Sequence, residues 1–420
     1  MPEFLRLHPP YEALALLLHA LPGRAPAVET IATDRALGRI LAADVVAPHP
    51  LPGFARSTVD GYAVRAEDTF GAGESQPAYL ALAGEVPMGA SPAFGLARGT
   101  CALIHTGGML PAGADAVVML EHTQPVGDGP AEIELSRPVA VGENVLLPGE
   151  DVAAGQIVLP AGRRLRPAEI GGCMALGITD LHVAGKPRVG IISSGDEVIP
   201  PGKDPRPGQV RDVNSYSLAA LVTQAGGEPV LYGIVPDNLD EMKSIAGVAL
   251  RECDLVVVTA GSSASARDTT AEAIASLGEP GVLVHGVNVR PGKPTILAVC
   301  GGKAVIGLPG NPVSALVIAG LFVTPVIERL LGAAPKPKAS VLARLTVNVP
   351  SQAGREDWIA VKVMENGERG QDGGVAHSLA VPIFGKSNLI FTLAAADGLV
   401  CIPPDATGLA AGEVVEVVFL

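Results

Sequence analysis

PRVGIISSG (187–195), CDLVVVTAG (253–261) and KAVIGLPG (303–310) share one design: a near-continuous apolar run that stops in a small polar loop. An antiparallel strand with one wet face alternates apolar and polar residues; these runs do not, so they read as strands buried on both faces. EPVLYGIV (228–235) and KPTILAVC (293–300) read the same way. Between the runs lie helical stretches: VNSYSLAALVTQAG (213–226), NLDEMKSIAGVALREC (238–253), TTAEAIASLG (269–278) and PVSALVIAGLFVTPVIERLLG (312–332). Strands alternating with helices predict a mostly parallel sheet covered on both sides, an α/β unit over 187–335.

Outward from this unit the text changes. YEALALLLHAL (11–21) predicts a short helix stopped by Pro22–Gly23, apolar enough to need packing. DRALGRILAADVV (34–46) predicts a helix-to-strand unit, and PAEIGGCMALGI (167–178) a helix within 156–186. From 47 to 155, short runs such as YAVRA, TCALIHT, DAVVML and AEIELS are divided by Gly, Pro and Asp, which predicts a β-rich lobe. KPKAS (336–340) reads as a linker, and the remainder to 420 as a small β domain.

Bulk composition narrows the functional classes. The 420 residues carry 30 basic and 43 acidic side chains, a formal charge of −13, which argues against a general nucleic-acid binder. Aromatics make up 3%, so Ala, Val, Leu and Ile must fill the cores. The five cysteines are scattered, with no C-x-x-C, which predicts neither a disulfide framework nor a thiolate zinc site. The eight histidines form no paired spacing. MPEFLRLHPPYEAL lacks the pattern of a signal peptide, and no membrane span is expected, so the expected location is the cytoplasm.

Ligands of open α/β sheets bind beyond the carboxyl ends of the strands. Four polar loops belong there. SSGDEVIPPG (193–202) carries Asp196 and Glu197, VPDN (235–238) Asp237, and TAGSSASARDTT (259–270) Asp268; GLPGNPVSA (307–315) is a rigid strand-to-helix turn. Carboxylates recurring on one sheet edge suit Mg²⁺, although Asp and Glu in such loops also cap helices. Ser262 and Ser263 of the third loop could offer hydroxyl and N–H donors to a phosphate near a helix start. In NVRPGKPT (288–295), Pro291–Gly292 holds a turn between Arg290 and Lys293, two cations suited either to an oxyanion or to a solvated surface. RSTVDGYAVR (56–65) and IHTGGMLPAGADAVVMLE (104–121) could line a pocket, and GRED (354–357) and FGKSNLI (384–390) offer Arg355, Lys386 and Ser387.

Taken in order, RSTVDGYAVR, HTGGMLPAGADAVVMLE, VGENVLLPGEDVAAG, PAEIGGCMALGI, SSGDEVIPPG, VRDVNSYSLAALV, VNVRPGKPT, GLPGNPVSA and SNLIFTLAAADGLVCIP resemble the molybdopterin molybdenumtransferase family, the MoeA proteins and the E domain of gephyrin. The resemblance spans essentially the whole chain. It implies a central MogA-like α/β domain (8–27 plus 187–335), a discontinuous N-terminal domain (28–46 plus 156–186), an inserted β-rich domain (47–155) and a C-terminal β domain (336–420). It also implies a homodimer, with the cleft between the α/β domain of one subunit and the C-terminal domain of the other.

The implied reaction inserts molybdate into adenylylated molybdopterin with Mg²⁺ and releases AMP. The implied partners are an upstream adenylyltransferase and recipient molybdoenzymes. Asp60, Thr106, Asp151, Glu197, Asp237, Asp268, Arg290, Pro309, Pro312, Arg355 and Ser387 match functional positions of the family. On this reading Glu197, Asp237 and Asp268 place the metal, Asp60 and Thr106 line the cleft, and Arg290, Lys293, Arg355 and Ser387 hold oxyanions. The dithiolene sulfurs of the pterin are the soft ligands for molybdenum, so the protein need not supply any.

Four departures from the family stand out. Leu146 and Leu147 replace a motif that often carries Arg; GSSASA (261–266) replaces a Gly-Gly-x-Ser-x-Gly text. Gly286 and Arg290 occupy positions that are often lysines, and GKSNLI replaces a Gly-Ser-Gly loop. The alternatives are therefore a tungstate-preferring insertase or a non-catalytic molybdopterin-binding or scaffolding protein.

Overall fold

The computed structural model describes residues 7–127, 132–260, 264–365 and 378–420. Helix α1 (Pro10–Ala20) starts on a proline, whose missing N–H is harmless in a first turn. Strand β1 (Val28–Ala32) follows. The inserted lobe is built on β2 (Gly61–Val64), β3 (Ala78–Glu85), β4 (Thr100–Ile104), β5 (Ala116–Met119), β6 (Thr123–Val126) and β7 (Glu132–Leu135). These form one sheet in the order β5-β2-β4-β3-β7-β6. Tyr62, Leu80 and Ile133 bury one face, and Ala63, Ile104 and Val117 the other.

The chain then returns through α2 (Pro167–Ala175) and β8 (Asp180–Ala184), which pairs antiparallel with β1 from Val28↔Ala184 to Ala32↔Asp180. The Glu169 carboxylate accepts the Arg166 backbone N–H at 2.9 Å, closing the start of α2. Of the helix-to-strand unit expected at 34–46, the helix shrinks to one 3-10 turn, Thr33–Arg35, and the strand is the short Val45–Val46. Gly38 sits at φ 76°, which ends helical winding, and Ile40 and Leu41 bridge to Arg164 and Val183 instead.

The α/β unit comprises β9 (Arg188–Ser194), α3 (Asn214–Ala225), β10 (Glu228–Val235), α4 (Leu239–Glu252), β11 (Leu255–Ala260) and α5 (Ala264–Ala275). It continues through β12 (Pro280–His285), β13 (Val289–Arg290), β14 (Ile296–Cys300), β15 (Lys303–Pro309), α6 (Pro312–Ile318) and α7 (Thr324–Leu330). The six-stranded sheet runs β10-β9-β11-β15-β14-β12. Its first four strands are parallel. Neighbouring residues on each strand face opposite cores. Ile191 and Val257 meet Leu17 of α1, Leu218 of α3 and Phe322, while Ile192, Val256 and Val258 meet Met242 of α4 and Ile274 of α5. That two-sided burial is why the strands read as unbroken apolar runs.

One strand, β14, breaks the common direction, so that β12 beyond it again runs with the first four. β14 runs antiparallel to β15, and β12, not anticipated from the sequence, adds antiparallel to β14. Gly301 (φ 58°) and Gly302 (φ 77°) join β14 to β15 in a two-residue turn that needs positive φ at both positions. The Pro312–Leu330 run is long and apolar enough to cross a membrane, but Val313, Val317, Phe322, Val323 and Ile327 are buried in the protein core.

The C-terminal domain contains β16 (Ser340–Leu345), β17 (Glu356–Met364), β18 (Ser378–Pro382), β19 (Gly398–Ile402) and β20 (Val414–Phe419). Pairing runs β17-β18-β16-β20-β19 and back to β17, a closed ring around Leu345, Val361, Val400 and Val417. At the start of β17, β13 of the α/β unit joins in parallel, with Val289 opposite Glu356 and Arg290 opposite Asp357. The Glu356 N–H donates to Asn288 O at 3.1 Å, and Asn288 Nδ2 donates to Gly354 O. The two domains are thus stitched through backbone groups.

Candidate functional site

A cavity of about 1000 Å³ lies between the carboxyl edge of the α/β sheet and the C-terminal ring. From the first come Arg290, Lys293, Pro309, Gly310, Asn311 and Ser314; from the second come Arg355, Trp358, Phe384, Lys386, Ser387 and Thr392. The resemblance implied a cleft closed by the C-terminal domain of a second subunit. Here both walls belong to one polypeptide, because β13 pairs with β17 of the same chain.

The charge of this cavity is organised by a residue the sequence reading passed over. Asp357 is fully buried. Its Oδ1 accepts from Arg355 Nε at 2.8 Å, its Oδ2 from Arg355 Nη2 at 3.4 Å and from Ser351 Oγ at 2.9 Å, and Arg290 Nη1 lies 3.5 Å from Oδ2. One carboxylate therefore orients two guanidiniums from different domains. Buried charge must be paired and bonded in this way to be tolerated. With one carboxylate against two guanidiniums, and Lys293 and Lys386 added, the wall stays net positive. The signal in the sequence was the spacing in GRED: Arg355 and Asp357 are two apart at a strand start and share a face.

Gly292 sits at φ 118°, and a Cβ there would come within 2.3 Å of Ile318 Cγ1. The turn carrying Arg290 and Lys293 is therefore pressed against α6. On the facing side, Asn311 Nδ2 donates to Ser387 Oγ at 3.1 Å, and the Val313 N–H donates to Ser387 O at 3.0 Å. Ser387 is tied to the GLPGNP turn. Pro312 opens α6 directly behind that turn and is not itself on the cavity wall.

Five of the expected substrate residues meet in this cavity: Arg290, Lys293, Pro309, Arg355 and Ser387. Glu197 and Asp237 do not line it. They lie on the neighbouring loops after β9 and β10, where Asp237 Oδ1 accepts from Ser194 Oγ at 2.7 Å and the Asp237 N–H donates to Asp196 Oδ1 at 3.2 Å. The Glu197 carboxylate folds over Gly195, 2.8 Å from where a Cβ would stand. Ser262 and Ser263 lie outside the described residues, as does the side chain of Asp268, whose backbone is in α5.

Among the described residues, no three His, Cys, Asp or Glu side chains are grouped to hold a metal. The available oxygens, the exposed carboxylates of Asp196, Glu197 and Asp237 on adjacent loops, are of the type that suits Mg²⁺. That ion keeps much of its water and is commonly held by one or two carboxylates together with substrate phosphates.

Asp60 and Thr106 are on the inserted lobe, apart from the cavity wall. Asp60 Oδ1 accepts the Thr106 backbone N–H at 2.7 Å and the Thr106 hydroxyl at 3.2 Å, and His105 Nδ1 lies 3.6 Å away. These bonds, the Thr106 N–H foremost, hold the Asp60 carboxyl below the usual range, so it is a carboxylate at neutral pH. Asp151 is exposed in a turn whose backbone N–H bonds Leu51 O, also away from the cavity.

Burial, helped by the charges of Glu356 and Asp357, pushes the Cys401 thiol up to about 12, and burial alone does the same for Cys101.

Family models match three successive stretches: "MoeA N-terminal region (domain I and II)" over residues 8–177, "Probable molybdopterin binding domain" over 190–329 and "MoeA C-terminal region (domain IV)" over 342–420. A Mycobacterium tuberculosis protein named molybdopterin molybdenumtransferase 2 is 34% identical over 92% of this chain and 94% of its own length. The chain belongs to the MoeA family. A molybdopterin molybdenumtransferase of Nostoc is 35% identical over 91% of this chain and 86% of its own length. The crystal structure of a MoeA protein from Pyrococcus horikoshii, 35% identical, superposes with a TM-score of 0.85 over 99% of this chain and 100% of the other. The multidomain α/β and β architecture is thus that of MoeA proteins throughout.

Proposed function

We infer that the chain is a molybdopterin molybdenumtransferase of molybdenum cofactor biosynthesis, and that it transfers molybdate into adenylylated molybdopterin with release of AMP. The observation that carries this reading is the net positive cavity in which buried Asp357 aligns Arg355 with Arg290. Both substrates are oxyanions. Planar guanidiniums match two oxygens at once, and the lysines add point charge. Arg355, Lys386 and Ser387 would hold molybdate on the ring side, and Arg290 and Lys293 the phosphorylated pterin on the sheet side.

Glu197 and Asp237 are the residues that would hold Mg²⁺ against the phosphates, with Asp268 the third carboxylate of the set; bound there, the ion would neutralise and polarise the pyrophosphate link. Mostly buried cysteines, with the Cys101 and Cys401 thiols pushed up by burial, support leaving molybdenum to the sulfurs of the pterin. Asp60 and Thr106, distant from the cavity wall of their own chain, would complete the site of a partner in a homodimer. The upstream adenylyltransferase and recipient molybdoenzymes are the partners this chemistry requires.

The test is an insertion assay with adenylylated molybdopterin, Mg²⁺ and either molybdate or tungstate, reading AMP and bound metal. Glu197→Ala should lose both products while staying folded. Nucleotide binding without AMP release by the wild type would select a non-catalytic carrier, and turnover with tungstate alone would select the tungstate enzyme.

A further inference from the structure

A second cavity, of about 370 Å³, opens at the opposite, amino edge of the α/β sheet. It lies where the chain passes twice between domains: through 21–27, leaving α1, and through 185–187, entering β9. The Gly185 N–H donates to Ala27 O at 2.7 Å, holding the two passages side by side. Four cations, Arg24, Lys186, Lys303 and Arg329, contribute to its wall against one carboxylate, Asp254.

Part of this charge has a structural use. Lys303 Nζ donates to Leu250 O at 2.7 Å, covering carbonyls at the end of α4, and Arg329 Nη2 donates to Leu21 O at 3.2 Å. Asp254 Oδ2 is occupied by the Arg188 backbone N–H at 2.9 Å. None of the four cations is paired with a carboxylate among the described residues, although the protein has an acidic excess of 13. Arg24 and Lys186 are exposed and make no side-chain hydrogen bond among those residues, so no structural use accounts for them.

We propose that this cavity binds a phosphoryl group, as inorganic phosphate or pyrophosphate or as the phosphate of a nucleotide. A multivalent oxyanion can take donors from both connections at once, Arg24 on one and Lys186 on the other, while Lys303 and Arg329 on the same wall add positive charge. Occupancy would tie the two passages together and couple the domains on either side. The site is separate from the large cavity, at the other end of the strands, and does not rest on the reading of that cavity.

Isothermal titration of the full chain with pyrophosphate, inorganic phosphate and AMP, each at about 0.15 M salt to screen diffuse attraction, tests it. Titrations are run in wild type, in a large-cavity triple variant (Arg290→Ala, Lys293→Ala, Lys386→Ala), and in that triple variant with Arg24→Gln and Lys186→Gln added. One saturable equivalent should survive in the triple variant and weaken at least about tenfold when the Arg24/Lys186 pair is added. The arm that binds most tightly separates a free anion from a nucleotide. Unchanged binding when Arg24 and Lys186 are replaced, or no saturable binding in the triple variant, overturns the proposal. Arg24→Gln alone, a change at an exposed and unbonded side chain, serves as the second variant should the pair lose its circular dichroism signal.

Discussion

Arg290 reaches Asp357 across a domain boundary, Nη1 to Oδ2 at 3.5 Å, while the backbones of the same two residues sit opposite each other in a parallel β pair. Asp357→Ala should therefore do two things. It strands two guanidiniums and the Ser351 hydroxyl, which costs about 1–3 kcal/mol for each group that stays buried and less for the exposed part of Arg290. It also frees Arg355 to rotate, raising the KM for the oxyanion. Urea unfolding and steady-state kinetics on one preparation check both; unaltered KM in a destabilised protein would leave Asp357 only a structural role.

Lys386 stands on the wall of the large cavity. Losing one charge-assisted contact to an oxyanion is worth about 1.4 kcal/mol, so Lys386→Ala should raise the KM for molybdate about tenfold with kcat nearly unchanged. The effect should shrink as salt rises. A fall in kcat at constant KM would place Lys386 elsewhere in the reaction.

Gly292→Ala forces a side chain into positive φ and against Ile318. Strain and overpacking together should cost roughly 2–4 kcal/mol. Ile318→Ala in the same chain should recover the steric part and leave the backbone part. Thermal melts of the single and double variants measure this, and a double variant no better than the sum of its parts would remove Ile318 from the explanation.

Glu169 provides a pH test away from the cavity. It is almost fully buried, and bonds from Arg166, then Arg163, hold its carboxyl down at about 2. A depressed carboxylate stabilises the fold above its unfolded pKa, about 4.3, and that contribution disappears as pH falls through about 2. The arginines are half exposed, which limits the gain to roughly 1–2 kcal/mol. Melting temperature should drop between pH 4.5 and 2 in wild type, and the drop should be smaller in Glu169→Gln; parallel curves for the two proteins would refute this.

If Asp60 acts in a partner's cleft, two dead variants should rescue one another. Asp60→Ala and Glu197→Ala, each inactive alone, would on mixing form heterodimers with one intact site, approaching a quarter of wild-type activity for random exchange. No recovery after verified subunit exchange would put both residues in one chain's site.

Much of the fold was legible because burial on two faces writes itself into strands. VGII, LVVV and KAVI end on one edge, and the loops after them face together. Local pattern misleads where the deciding partner is distant in the chain. Leu37, Ile40 and Leu41 have helical spacing, but Ile40 and Leu41 bridge to Arg164 and Val183, more than a hundred residues away. β12 was missed, and so was the hairpin of β14 and β15, although the Gly301–Gly302 turn between them announces it. In the cavity, Arg290, Lys293 and Ser387 were visible as polar residues in rigid turns. Asp357 was not, because a buried carboxylate inside a strand looks like any alternating polar position until the arginine from the other domain arrives.

The hairpin also determines where positive charge is deployed. Since β14 runs backwards against β15, it is the beginning of β14, not its end, that emerges beside the GLPGNP turn, and Arg290 and Lys293 precede that beginning. Had the strand kept the direction of its four neighbours, Cys300 would stand there. The two cations would emerge a full strand length away, about 15 Å at 3.3 Å per residue, on the far rim. A pair of glycines thus sets the polarity of the whole molecule's ligand-facing side.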